Sequence, residues 1–268
     1  IDLVQHGYVV AVADFRGLYA SFGENRLFNF GNFLEPAWTD AYDITEWLAD
    51  QPWSTGNIGM WGCSATGGSQ QQAMVTQPPS LKAIFALSPA YDTYEFVNLG
   101  GIPSRAPYNS ITAAERDMAA SPVDGPDGEA LLDEARSQHI DDPTNMRSGQ
   151  LPYRDSTGPV LGDWWGRSAI YSYRDEIEQS GVAVYNGGNW DEAGTKIAPG
   201  VMFGNMPEGR RKLIYGPAQH CRWNHVEEQT GFALSVEQLR FFDYWLKGID
   251  NGVMDEPPVT YYTYNAPE

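Results

Sequence analysis

Positive charge is scarce in this 268-residue sequence: 17 lysines and arginines stand against 35 aspartates and glutamates, a net charge of −18. A surface of that average sign repels polyanions, which excludes nucleic acid and anionic membrane as main partners. Long apolar runs are also lacking. None approaches the length that spans a bilayer, and no basic segment followed by an apolar one marks a secretory leader. There is no initiator methionine. The chain opens Ile1-Asp2-Leu3-Val4-Gln5-His6-Gly7, which reads as a helix end running into a strand, so the expectation is an excerpt of a longer chain whose compartment stays open. Cysteine occurs only twice, at Cys63 and Cys221. With no CxxC, HExxH or paired-carboxylate run, no metal is expected, and the glycines from Gly62 to Gly68 lack the lysine of a phosphate loop. No cofactor is expected either. Internal repeats and low-complexity tracts are absent.

What is present is an alternation of apolar runs and helical patterns. Tyr8 to Asp14 (YVVAVAD) reads as a buried strand, Pro36 to Asp50 as a helix, Ile58 to Trp61 as a strand and Gly67 to Val75 as the helix behind it. Leu81 to Leu87 is the next strand. This order predicts an α/β domain with a mostly parallel sheet and right-handed crossovers. The regularity fails from about 100 to 165, where Pro, Gly and Asp interrupt short helical stretches at Thr112 to Met118 and Gly128 to His139. Tyr108, Tyr153, Trp164 and Trp165 are too apolar for a free tether, which suits an inserted cap; an irregular surface excursion is the alternative. Strands return at Val182 to Tyr185 and Lys212 to Tyr215, and Ser235 to Lys247 is an amphipathic helix stopped by Gly248. Val259 to Tyr264 reads as one more strand. The expected division is therefore a catalytic domain over 1–99 and 166–256, a cap over 100–165, and the start of a C-terminal β domain over 257–268.

Ser64, Asp191 and His220 each follow a predicted strand, where loops leave the carboxyl edge of a parallel sheet. Their chain order, Ser, Asp, His, is that of nucleophile, orienting acid and general base in α/β-hydrolases. The chemistry needs those three types: a neutral serine is a poor nucleophile, so His220 takes its proton, and Asp191 fixes the imidazole tautomer. Gly62, Ala65, Gly67 and Gly68 leave room for a tight elbow at Ser64, and the Ala65 amide would face the developing oxyanion. Taken singly, each residue has a plainer reading as a helix cap or a satisfied polar group; their joint placement favours catalysis. His6 and His139 lack this context, and His225 is the only substitute base.

The sequence also resembles a known family. Val9 to Glu24 (VVAVADFRGLYASFGE), Asp40 to Gly68, Gly187 to Asp191 (GGNWD), Leu213 to His220 (LIYGPAQH) and Leu239 to Val259 are similar to the cocaine esterase and X-Pro dipeptidyl-peptidase group, which includes α-amino acid ester hydrolases and glutaryl acylases. That resemblance implies an α/β-hydrolase with a helical cap and a C-terminal jelly roll, and carries the same three roles onto Ser64, Asp191 and His220. It also accounts for Thr66, because the family places its elbow glycine one position later. The second oxyanion donor of the family, a tyrosine upstream of the first strand, has no counterpart in this sequence. The cysteines resemble instead the CS-D-HC pattern of tannases and fungal feruloyl esterases, which implies a Cys63–Cys221 disulfide beneath the triad and, with it, a secreted or periplasmic setting.

The expected activity is that of a serine hydrolase acting on a small-molecule carboxylic ester with a bulky or aromatic acyl group. Tyr91, Tyr94, Trp164, Trp165 and Trp190 are candidates for the acyl pocket. Acylase, α-amino acid ester hydrolase or X-Pro dipeptidyl-peptidase activity is the alternative, with Asp92, Glu95 and Glu192 available for a substrate ammonium. A non-catalytic protein retaining the fold is the reading from another class.

Overall fold

The structure, a computed structural model, describes residues 3–24, 39–102, 117–139, 151–158 and 162–265. Its centre is a five-stranded parallel sheet in the order β1 (Ile58–Cys63), β2 (Leu81–Leu87), β3 (Ala183–Asp191), β4 (Arg211–Gln219) and β5 (Val259–Tyr261). β2 shows why the sheet is parallel and covered on both faces. Apart from Lys82 its residues are apolar, and alternate side chains go to opposite sides. Ile84 and Ala86 join one core with Met74, Ile177, Val184 and Met202. Ala83, Phe85 and Leu87 join the other with Tyr185, Ile214, Phe241 and Phe242.

The helices follow from the same periodicities. α1 (Asp40–Ala49) precedes β1, and α2 (Ala65–Val75) crosses from β1 to β2. Between β2 and β3 come α3 (Thr93–Val97), α4 (Gly128–Gln138), α5 (Trp164–Ser168) and α6 (Arg174–Ser180). α7 (Ala198–Asn205) joins β3 to β4, while α8 (Trp223–Thr230) and α9 (Leu234–Lys247) lead to β5. Gly248 ends α9 in the left-handed region at φ 69°, as a glycine stop should.

Several expectations need correction. Tyr8 to Asp14 forms no strand; Val9, Val10 and Val12 are exposed, Val12 by 91%. A buried parallel strand needs a hydrogen-bonding neighbour, and among the described residues nothing pairs with the outer edge of β1. Val259–Tyr261, expected to open a separate β domain, instead pairs with β4 as the fifth strand of the central sheet. β3 and β4 also run several residues beyond their apolar cores, so the GGNWD segment is strand rather than loop. Thr112 to Arg116 lies outside the described residues. In the region expected as a cap, Leu151, Trp164 and Trp165 pack with Tyr94 and Val97 into a cluster of their own, which is what its aromatic content required. His139 is structural there: its ring nitrogens lie 2.8 Å from Asp117 Oδ2 and 2.7 Å from the Ser21 carbonyl.

Candidate active site

Ser64 stands between β1 and α2 with φ 62° and ψ −122°, a conformation that costs a non-glycine residue strain. Three local contacts hold it there. The Ser64 N–H donates to the Leu87 carbonyl at 2.9 Å, and the Gly67 and Gly68 N–H groups both donate to the Ser64 carbonyl. Thr66 Oγ1 bonds the backbone of Cys63 through both its N–H and its C=O, closing the turn. Two of the four small residues are sterically required. A Cβ on Gly62 would lie 2.4 Å from Thr66 Oγ1, and one on Gly67 would lie 2.6 Å from the Leu87 carbonyl oxygen, whereas one on Gly68 meets nothing within 4 Å. The Ala65 N–H, in the first turn of α2, has no intrahelical acceptor and remains available to an anion.

His220 follows β4, and Cys221 takes a positive φ of 58° directly after it. The Cys63–Cys221 disulfide is formed, with a Cα–Cα separation of 5.9 Å across 158 residues of sequence. The last residue of β1 and a residue two positions beyond β4 are thereby held side by side although β2 and β3 lie between their strands. Ser64 Oγ and His220 are not hydrogen-bonded to each other; such contacts commonly close only with substrate in place.

The carboxylate beside His220 is not the one expected from the sequence. Nδ1 of His220 lies 3.0 Å from Glu192 Oε2, not against Asp191. The Glu192 side chain is fully buried. Its Oε1 accepts from Ser88 Oγ at 2.7 Å and from the Asn189 N–H at 2.7 Å, and its Oε2 also accepts from Thr195 Oγ1 at 2.5 Å. Burial raises the pKa of this carboxyl, but the four hydrogen bonds, led by that from His220, outweigh burial and hold it below the ordinary carboxylate range. An ionised Glu192 places the imidazole proton on Nδ1 and leaves Nε2 free to accept one. Asp191, by contrast, is exposed and has no polar partner among the described residues. The physical reason is a register shift between Asn189 and Asp191 in the β3–β4 ladder, which inverts the alternation so that Asn189 and Glu192 face inward. Ser88, fully buried with φ 46° just after β2, was likewise missed.

The aromatic residues expected to line an acyl pocket are dispersed. Trp165 is wholly buried, donating its indole N–H to the Leu151 carbonyl, and Tyr94 packs edge-on against it at 5.3 Å. Trp164 belongs to the same cluster. Trp190 stacks on Tyr215 at 4.4 Å and donates to the Tyr262 carbonyl. Tyr91 borders a cavity of about 310 Å³ whose lining includes none of the other four. The acidic residues considered for an ammonium are also engaged: Asp92 caps α3 and pairs with Arg154, Glu95 lies 3.7 Å from the same guanidinium, and Glu192 holds His220. His225 sits on an exposed side of α8, away from these contacts. No group of three or more metal-ligating side chains occurs among the described residues.

Comparison with known proteins adds the following. A sequence model of the X-Pro dipeptidyl-peptidase (S15) family matches residues 1–222. A Mycobacterium bovis protein bearing the name serine esterase is 26% identical over 305 residues, covering 97% of this chain and 48% of that protein. The cocaine esterase of a Rhodococcus species is 38% identical over 94 residues, 35% of this chain and 15% of that enzyme. The chain spans about half the length of the mycobacterial relatives it matches. Among solved structures, a CocE/NonD family hydrolase from Staphylococcus aureus superposes with a TM-score of 0.62 at 21% identity, over 91% of this chain and 38% of that one. An α-amino acid ester hydrolase gives 0.54 at 20% identity, over 97% and 47%. At these identities the likeness establishes the fold, that of the α/β-hydrolases.

Proposed function

The chain belongs to the X-Pro dipeptidyl-peptidase (S15) family, and on that premise we propose that it is a serine hydrolase cleaving carboxylic esters through a covalent acyl-enzyme. The observation that carries this reading is Ser64 on a strained elbow, bound by a disulfide between flanking residues to a histidine whose Nδ1 rests on a buried carboxylate. Ser64 Oγ attacks the ester carbonyl carbon while its proton passes to His220 Nε2. Glu192 stabilises the imidazolium, and the Ala65 N–H stabilises the oxyanion. Collapse breaks the bond to the alcohol, which leaves with the proton from His220. Water then repeats the sequence on the acyl-serine, releasing the acid and restoring the hydroxyl. Asp191, at the position where the resemblance carries the acid, is assigned no role.

Esters are favoured over α-amino esters and peptides because Asp92, Glu95 and Glu192 are already paired, leaving none of the three free to hold a substrate ammonium. The site shares its cysteines with the CS-D-HC pattern of feruloyl esterases but not, in this assignment, its aspartate. Comparing kcat/KM for p-nitrophenyl, feruloyl and α-amino acid esters on the wild type and Ser64→Ala tests the proposal. Ester turnover that vanishes in Ser64→Ala supports it; higher kcat/KM for the α-amino esters would replace it with the amino-ester reading.

A further inference from the structure

A second feature of the molecule lies outside the Ser64–His220 contacts. A cavity of about 310 Å³ opens between the segment following β2, the residues entering α6, and α7, a volume at the small end of the range for ligand pockets. Phe96, Ile197 and Val201 supply apolar wall, with Tyr91 and Tyr171 beside them. Such a lining suits a compact apolar body.

The polar groups in that wall are asymmetric. Asp92 and Glu95 border the cavity but are engaged by Arg154. Arg174 also borders it, and no carboxylate lies within ion-pair distance of its guanidinium among the described residues. Tyr91 is 5% exposed, and its hydroxyl has no hydrogen-bond partner among the described residues. Burial raises the pKa of this phenol, and the charge of Arg174 is near enough to oppose that rise. The phenol therefore stays a donor, and it stands beside a cation. The hydroxyl is not among the fully buried unpartnered polar atoms, so solvent reaches it where Tyr91 borders the cavity, and Arg174 at the same wall is an exposed cation in a chain of net charge −18.

We propose that this cavity binds a small apolar monocarboxylate, its carboxylate held by the Arg174 guanidinium and the Tyr91 hydroxyl and its body against Phe96, Ile197 and Val201. That ligand class is also what ester hydrolysis releases. The cavity shares the stretch from Glu192 to Ile197 with the active site: Gly194 lines it, and Thr195 next along hydrogen-bonds Glu192 and lies 3.2 Å from His220 Nδ1. An occupant resting on Gly194 would thus bear on the loop that carries the acid.

The test is isothermal titration of the full chain with phenylacetate, phenylacetamide and phenethylamine. Phenylacetate should bind, while the neutral amide and the amine should bind at least tenfold more weakly, the worth of one charge-assisted contact. Arg174→Gln and Tyr91→Phe should each weaken phenylacetate about tenfold, Val201→Trp should abolish binding by filling the space, and Ser64→Ala should leave it unchanged. Circular dichroism verifies that each variant is folded. Equal binding of amide or amine, unchanged affinity in Arg174→Gln, absence of phenylacetate binding, or loss confined to Ser64→Ala each overturns the proposal. Because binding is read without turnover, failure here leaves the esterase reading standing, and an inactive Ser64 leaves this proposal standing.

Discussion

Glu192→Gln is the most informative substitution, because the geometry dictates how the amide must fail. The two carboxylate oxygens of Glu192 accept four hydrogen bonds, from Ser88 and the Asn189 N–H on one oxygen and from Thr195 and His220 on the other. Glutamine turns one oxygen into a donor. Facing that NH2 toward Asn189 sets it against a backbone N–H that cannot rotate. Facing it toward His220 is the cheaper choice, since the hydroxyl of Thr195 can turn and the imidazole can move its proton from Nδ1 to Nε2. That shift removes the base. The charge is lost as well: at 3.0 Å a carboxylate and an imidazolium attract by about 5 kcal/mol at an effective dielectric of about 20, less after discounting for a histidine side chain that is 43% exposed. The expected loss in kcat is therefore about 10²- to 10⁴-fold, or roughly 3–5 kcal/mol. Asp191→Asn, at an exposed and unpartnered carboxylate, should change kcat by less than about twofold. The assay is steady-state hydrolysis of p-nitrophenyl acetate, with near-ultraviolet circular dichroism to verify folding. A Glu192→Gln enzyme within tenfold of wild type, or an Asp191→Asn enzyme that collapses, would refute the assignment.

Reducing the Cys63–Cys221 bond should lower the melting temperature and the activity together. Chain entropy across 158 residues sets an upper figure of about 5 kcal/mol, and urea denaturation with and without dithiothreitol measures it. Gly67→Ala should destabilise by about 1–3 kcal/mol, because its Cβ would meet a backbone oxygen at 2.6 Å, while Gly68→Ala, in open space, should be neutral or stabilise by up to about 1 kcal/mol. Glu192 contributes pH-dependent stability of known sign: its folded pKa is depressed from the ordinary 4.5, so that contribution is complete above this value and declines as pH falls through the lowered one. Acid titration of unfolding should show Glu192→Gln losing less stability than wild type over that interval. Ser88→Ala removes one of the four donors and should raise the Glu192 carboxyl toward its ordinary value, moving the acid loss of stability to higher pH.

The parallel core was legible because β2, β3 and β4 contain apolar runs too uniform for a one-sided sheet, and because α9 combines a long amphipathic stripe with a glycine stop. Tyr8 to Asp14 has the same composition yet lies outside the sheet; an apolar run specifies a buried strand only when a neighbour supplies its hydrogen bonds. Glycine placement and position after strands singled out Ser64 and His220, whose neighbours Cys63 and Cys221 the structure joins. They did not single out the carboxylate beside His220. Choosing between adjacent carboxylates depends on which faces inward, and a register shift at Asn189 to Asp191 reverses that parity without leaving a mark in the residues themselves. The acyl-pocket aromatics failed for a different reason: indole and phenol rings near a site are equally suited to core, and Tyr94, Trp164 and Trp165 fill one. The disulfide, implied by likeness to another family's cysteines, is present.

The most direct test of Ser64 as nucleophile is covalent labelling of the folded, unreduced protein with a fluorophosphonate, read by intact mass and peptide mapping. The expected result is one adduct, on Ser64, whose rate of formation falls by orders of magnitude in His220→Ala. An unmodified Ser64, or labelling at a serine elsewhere, would contradict it.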